Sequence, residues 1–234
     1  MVGAKQGWSE ATYAEVPCSP PDISTAHAVI SNDPRLSVRI LPGLMQAKPA
    51  DVMRGEETQI AGFLAQRPDF FGTLCLPGTH TKWVQISAGE IVSFKTFMSG
   101  ELFAILSDHS VLKHSVNDGG WSDEAFQLAV DDAMSSPQQF ASRLFGLRAE
   151  GLLNGLGDAE ARSALSGLLI GLELVGARGY WLGQDIAILG DPTLSRNYQA
   201  ALSQQGASCS VVAGDELSLA GLIAAYDTLE GSKT

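Results

Sequence analysis

The stretch from Thr73 to Phe94, TLCLPGTHTKWVQISAGEIVSF, restricts the fold of this chain more than any other. TLCL is a short apolar run, KWVQIS alternates apolar and polar residues, AGE is a turn, and IVSF returns. That alternation around a short turn is a hairpin signature, so the stretch predicts a β-meander whose first two strands are joined by PGTHT. The meander is followed by helical patterns. Ser99 reads as the N-cap of a helix over GELFAILSDH. Further helices are expected from about Ser122 to Met134 and from Ser136 onward, with Pro137 at the first helical position and Phe140, Leu144 and Leu147 on one face. Asp158 reads as the cap of another helix, carrying Leu165, Leu168, Leu169 and Leu172. A strand over IAIL (186–189), a Gly-Asp-Pro turn, a helix through Leu194, Tyr198 and Leu202, a strand over CSVV (209–212) and a helix from about Glu216 to Leu229 follow. Upstream, residues 1–36 read as irregular and proline-rich, SVRIL (37–41) as a strand, and Gly55 to Gln66 as a helix with Ile60, Phe63 and Leu64 on its apolar face. The sum is an α/β fold with the meander at one end.

At 234 residues and 45% hydrophobic, such a chain buries a sizeable core. Its formal net charge of −11 argues against nucleic acid as a partner, which would require a basic face. It leaves a nucleotide open, because backbone amides and helix N-termini bind phosphate without net positive charge. Cys18, Cys75 and Cys209 are scattered and odd in number, which suggests buried thiols in a reducing compartment rather than disulfides or a zinc site. The longest apolar run, LSGLLIGLELVG, is broken by Glu173 and is too short to cross a bilayer. MVGAKQGWSE lacks the apolar stretch of a signal peptide, so the expected location is cytoplasmic, with no membrane partner.

Three clusters carry candidate chemistry. In PGTHTKW, Gly78 lets a ligand approach the backbone, Thr79 and Thr81 offer hydroxyls, and Lys82 offers a point charge. The pattern suits a phosphate, although it is not a P-loop and spacing alone favours a plain hairpin-entry turn; His80 alone reads as a loop histidine. In MRGEETQIAG, helical spacing places Glu56, Ile60 and Phe63 on one face, aiming the Glu56 carboxylate along the inward side at the first turn. There it could accept a proton from a substrate hydroxyl, or be an ordinary acidic first turn. Glu57 lies about a hundred degrees further round and is the less favoured actor. In ILGDPTLSRNYQ, Gly190 and Asp191 sit at a strand-to-helix turn against which a flat ring or phosphate could lie, a connection also common to any α/β fold. No G-x-S-x-G, H-E-x-x-H or strand-linked G-x-G-x-x-G is present. Arg143 and Arg148 read as solvated or ion-paired.

The order of these clusters resembles the second domain of the actin-like, ribonuclease H-like sugar kinases. The wording is closer to one branch, the 2-dehydro-3-deoxygalactonokinases. MVGAKQGW, ILPGLMQ, VMRGEETQ, LPGTHTKWVQI, FKTFMSGELFAIL and SGLLIGLEL look like that family's phrases in that family's order, over essentially the whole chain. The resemblance implies a kinase fold with a mixed sheet, its meander flanked by helices, and transfer of the ATP γ-phosphoryl group to 2-dehydro-3-deoxy-D-galactonate. It implies Glu56 as base, and Gly78, Thr79, His80 and Lys82 around the ATP phosphates. Gly190 and Asp191 would lie at adenosine, and Gln6, Trp8 and Arg54 at the sugar acid. Mg²⁺ would bridge the phosphates, with no protein ligand to the metal assigned. Gly190-Asp191 replaces the family's double glycine, and nothing here matches the Asp-Trp-Gly-Thr-Thr-like hairpin with which family members begin. Residues 1–45 are therefore expected to be the end of an incomplete first, sugar-binding domain, and 46–234 the nucleotide-binding domain. Exposed strand edges left by that truncation would favour association, as in a homodimer. Two alternatives stand beside this reading: a kinase fragment that at most binds nucleotide, and a kinase for a related 2-keto-3-deoxy sugar acid.

Overall fold

The computed structural model describes residues 7–116 and 120–231, with side chains described as far as residue 227. Among the described residues, the first part carries short strands: β1 (Tyr13–Glu15), β2 (His27–Val29), β3 (Val38–Ile40), β4 (Gly43–Gln46) and β5 (Asp51–Met53). β4 pairs in parallel with β1 and antiparallel with β5, while β2 and β3 form a separate antiparallel pair. The expected division at residue 45 thus falls within β4. Residues 7–36 are also less irregular than their sequence suggests. β1 and β2 are three residues long, too short for any periodicity, and β1 is held by a partner about thirty positions away.

The rest is built from α1 (Glu56–Gln66), β6 (Gly72–Leu76), β7 (Thr81–Ser87), β8 (Glu90–Phe97), α2 (Ser99–His109), α3 (Asp123–Ser135), α4 (Phe140–Leu153), α5 (Asp158–Gly176), α6 (Arg178–Trp181), β9 (Ile186–Gly190), α7 (Pro192–Gln204), β10 (Cys209–Ala213) and α8 (Gly214–Gly231). Five strands form one sheet in the order β10-β9-β6-β7-β8. β6, β9 and β10 run parallel, and the meander adds β7 antiparallel to β6 and β8 antiparallel to β7. β7 alone opposes the other four strands, which is the ribonuclease H-like arrangement and the mixed sheet expected.

Alternation along the strands divides the core between the two faces of this sheet. Leu74, Leu76, Val84, Ile86, Ala187 and Leu189 meet Ile60 and Phe63 of α1 and Leu217 of α8 on one face. Cys75, Trp83, Ile186 and Ile188 meet Phe126 of α3, Ile170 and Leu174 of α5, and Tyr198 of α7 on the other. All five residues of β6 are buried, as a central strand covered on both sides requires. α1 and α8 cross closely enough that a side chain at Gly62 would run into the Leu217 carbonyl, and one at Gly221 into that of Thr58.

Several expected details shift. Ser99 is the first residue of α2, with Met98 at the cap, and its hydroxyl is used elsewhere. Gly157, not Asp158, precedes α5, and the Glu160 carboxylate accepts the Gly157 N–H at 2.8 Å. Pro137 opens a single 3-10 turn, and α4 begins at Phe140. Of the thiols, Cys75 is buried while Cys18 and Cys209 are half-buried. Arg143 is ion-paired with Asp132 at 2.6 Å, as expected.

Candidate active site

β6 and β9 are neighbours in the sheet, and the chain leaves them in opposite directions, β6 into the meander and β9 into α7. In open α/β sheets ligands collect in the crevice beyond the carboxyl ends of strands at such a point. Here the loop Pro77–His80 leaves β6, and the Gly190-Asp191 turn leaves β9. The two abut: a Cβ on Gly190 would meet the Pro77 carbonyl oxygen at 3.4 Å and Ser195 Oγ at 3.6 Å.

The loop is pinned from behind by α2. The Glu101 N–H donates to the Thr79 carbonyl at 2.9 Å, and His80 Nε2 lies 2.6 Å from Glu101 Oε2. Gly100 lies so close to Gly78 that any side chain there would overlap the Gly78 carbonyl. In front of the loop there is space instead, for a Cβ on Gly78 would meet nothing within 4 Å. This open side faces a cavity of about 1080 Å³, walled by Gly78 and Thr79, by Ser99 and Gly100 at the start of α2, and by Asp191 and Tyr198 beyond β9. Its far wall is apolar and aromatic, with Trp121 and Phe126 at a centroid distance of 5.3 Å. Arg162, over the Phe103 ring at 5.1 Å, also lines it. The N-terminal amides of a helix carry partial positive charge, so loop and helix together suit an anion.

Asp191 is committed to structure: its Oδ1 accepts the Thr193 and Leu194 N–H groups at 2.8 and 3.0 Å, capping α7. Lys82 lies behind the loop, only 5% exposed, with Nζ 3.9 Å from Glu56 Oε1 on α1. Glu56 in turn accepts the Arg54 N–H at 3.1 Å. Neither Glu56, His80 nor Lys82 is among the residues lining the cavity. Glu56 and Lys82 form a second polar centre beside it, on the side of β7 that faces α1.

The two glutamates exchange the burial expected of them. Glu57 is the inward side chain, 3% exposed and accepting the Gly55 N–H at 2.5 Å. The Glu56 side chain keeps about a quarter of its surface exposed. The helix-face expectation fails at the first turn, where Glu57 turns in to the Gly55 N–H while Glu56 meets the Arg54 N–H and Lys82. Periodicity registers the apolar stripe of α1 but not which first-turn carboxylate a backbone N–H captures. Burial, with the neighbouring Glu56 charge adding to it, pushes the Glu57 carboxyl up to about 7, against the opposing pull of backbone N–H bonds and Arg54.

Of the residues expected at the sugar, Gln6 lies outside the described residues and Trp8 is exposed. The Arg54 guanidinium stacks 4.3 Å over the Tyr13 ring and donates to the Ala11 carbonyl at 2.8 Å, tying β1 to the start of α1. Among the described residues no group of three or more His, Cys, Asp or Glu side chains is placed to hold a metal, and no helix is long and apolar enough to cross a membrane.

Residues 1–225 match the family described as 2-keto-3-deoxy-galactonokinase. The chain belongs to that family. It is 40% identical over 231 residues to a Rhizobium meliloti (strain 1021) protein named probable 2-dehydro-3-deoxygalactonokinase, covering 96% of this chain and 75% of the relative. The 2-dehydro-3-deoxygalactonokinase of Escherichia coli (strain K12) is 34% identical over 225 residues, covering 95% of this chain and 75% of its own length. The crystal structure of a Sinorhizobium meliloti protein assigned the same activity superposes with a TM-score of 0.91 at 40% identity, covering 98% of this chain and 76% of that one. The chain thus spans about three quarters of the length of these relatives. The hairpin loop and the glycine turn, far apart in the sequence, abut at one cavity. Sequence reasoning missed the first turn of α2 as a wall of the site. Ser99 was legible only as a helix start, although MSGE stands in one of the family-like phrases.

Proposed function

We propose that this chain is an ATP-dependent kinase that phosphorylates 2-dehydro-3-deoxy-D-galactonate to its 6-phosphate, a step of galactonate breakdown. The observation that carries the reading is the Gly78-Thr79 loop, held against the N-terminus of α2 and open toward a nucleotide-sized cavity, in a chain of this family. In this reading residues 46–234 bind nucleotide and residues 1–45 belong to the sugar side. The phosphates lie along Gly78, Thr79 and the first turn of α2. The adenosine lies between the Gly190-Asp191 turn and the aromatic wall, meeting Asp191 through its backbone because its carboxylate is occupied as a cap. A Mg²⁺ ion brought in on the phosphates would supply charge neutralisation there.

The Glu56 carboxylate takes the proton from the C6 hydroxyl of the sugar acid. The freed oxygen forms a bond to the γ-phosphorus, the bond from that phosphorus to the bridging oxygen breaks, and ADP leaves with the electron pair. Lys82 stabilises charge beside this centre as a positioned cation. Phosphoryl transfer depends chiefly on such positioning and charge neutralisation. Arg54 and Trp8, with Gln6, are assigned to the sugar side. ATP supply and the metabolic role place the protein in the cytoplasm, and the exposed apolar side chains Leu219, Leu222 and Tyr226 of α8 are where a homodimer would form. The test is ADP release from ATP with a panel of 2-keto-3-deoxy sugar acids. The galacto compound should give the highest kcat/KM. A preference for another member reassigns the substrate, and ADP binding without turnover reduces the chain to a nucleotide-binding protein.

A further inference from the structure

A buried acid lies directly beneath the nucleotide cavity and takes no part in the mechanism above. Glu173 of α5 is 2% exposed. Its Oε1 accepts the indole N–H of Trp83 on β7 at 2.8 Å, and its Oε2 accepts the Tyr198 hydroxyl on α7 at 2.9 Å. Tyr198 O–H lies 2.8 Å from Thr81 Oγ1, two residues beyond Thr79 of the hairpin loop. The Ser99 hydroxyl at the first turn of α2 also engages the carboxyl. Ser99 and Tyr198 both line the cavity, and Trp83, Thr81 and Tyr198 are all fully buried.

Resting on the kinase reading, we propose that Glu173 is a positioning residue of the nucleotide site, one carboxyl group that ties β7, α2 and α7 together and fixes the gap between the phosphate loop and the adenosine-side helix. Removing a carboxyl from water is expensive, and an apolar residue of similar size often serves stability as well or better. An acid set among donors from three separate elements serves geometry. It gives the hairpin, the α2 terminus and α7 a common acceptor, so none of them moves without losing a bond to it.

The same network makes the site sensitive to pH. The titratable groups facing Glu173 are the Cys75 thiol on β6 and the Tyr198 hydroxyl on α7, both driven upward by burial and therefore neutral. Lys82 points to the opposite face of β7, toward Glu56. Burial pushes the Glu173 carboxyl up to about 7, opposed by the bonds from Ser99, Trp83, Tyr198 and Thr81. Above that range the carboxylate accepts from its donors; below it the carboxyl carries its own proton, turns one oxygen into a donor and releases one of the ties.

The experiment is calorimetric titration with ADP at about pH 6 and about pH 8, on either side of this range, for wild type, Glu173→Gln and Tyr198→Phe. Wild type should bind ADP several-fold tighter at the higher pH. Glu173→Gln keeps the shape and a carbonyl acceptor, and should bind ADP about tenfold more weakly than wild type at the higher pH, with no change between the two. Tyr198→Phe, which removes the donor from α7 to the carboxyl, should weaken ADP while keeping the pH dependence. It also decides the matter if Glu173→Gln fails to fold. KM for the sugar acid should stay within about twofold in both variants, since additivity holds for distant sites. Folded variants that bind ADP as wild type does at both pH values overturn the inference and leave the kinase reading standing. Wild type that binds no ADP overturns the kinase reading and this inference with it.

Discussion

Lys82 Nζ lies 3.9 Å from Glu56 Oε1, so the cation at the start of β7 and the carboxylate at the start of α1 face each other. Both are held by their elements rather than by choice of rotamer in open solvent: Lys82 is buried, and Glu56 is anchored by the Arg54 N–H. Glu57, one residue on, is turned inward and spends an oxygen on the Gly55 N–H. General-base catalysis contributes on the order of 10² or more in rate. Glu56→Gln should therefore lower kcat by at least about 10², with ADP affinity unchanged, whereas Glu57→Gln should leave kcat within several-fold. Steady-state kinetics on both variants checks this; the reverse pattern would move the base to Glu57.

Two neighbouring glycines separate pinning from binding. Gly100 presses on the Gly78 carbonyl, so Gly100→Ala must push the hairpin loop off α2. Gly78 faces open space, so Gly78→Ala leaves the fold intact and, on the proposed reading, fills room taken by phosphate. Gly100→Ala is expected to lower the thermal midpoint by several degrees, because overpacking costs about 1–3 kcal/mol. Gly78→Ala should hold the midpoint and raise KM for ATP about tenfold or more, as a misplacement of about 1 Å does. Paired melting curves and kinetics distinguish the two effects, and a Gly78→Ala variant with normal KM would remove the loop from the phosphate site.

Glu57 also predicts how stability varies with pH. Its folded value, about 7, lies above the ordinary 4.5, so the folded state binds its proton more tightly than the unfolded chain does. That contribution is fully present below the ordinary value and is lost as pH rises through the folded one. Glu57→Gln removes the loss. The difference in thermal midpoint, variant minus wild type, should become more positive between about pH 5 and about pH 8, measured by calorimetry. Glu173 titrates in the same direction in both proteins and cancels. A constant difference across this range would mean that Glu57 is not buried as described.

Much of this architecture was readable in the chain. The meander announced itself through the alternation of KWVQIS and IVSF around a tight turn, and β9-α7-β10-α8 through apolar runs punctuated by glycine. The three clusters were visible as residue types and gained meaning from their order. The errors arose where the deciding neighbour is distant in sequence. β1 depends on β4, and Ser99 turns to Glu173 instead of capping its own helix. The Glu173 network draws on four elements, and no local pattern distinguishes its acid from an interruption in an apolar helix.

The central claim is transfer of a phosphoryl group from ATP to a hydroxyl of 2-dehydro-3-deoxy-D-galactonate by this chain. ³¹P nuclear magnetic resonance of the purified protein with ATP, Mg²⁺ and the sugar acid tests it directly. The predicted result is ADP and a sugar phosphomonoester at C6, formed in equal amounts and lost in Glu56→Gln. Unconsumed ATP, or hydrolysis to ADP and free phosphate with the sugar acid unchanged, would contradict it.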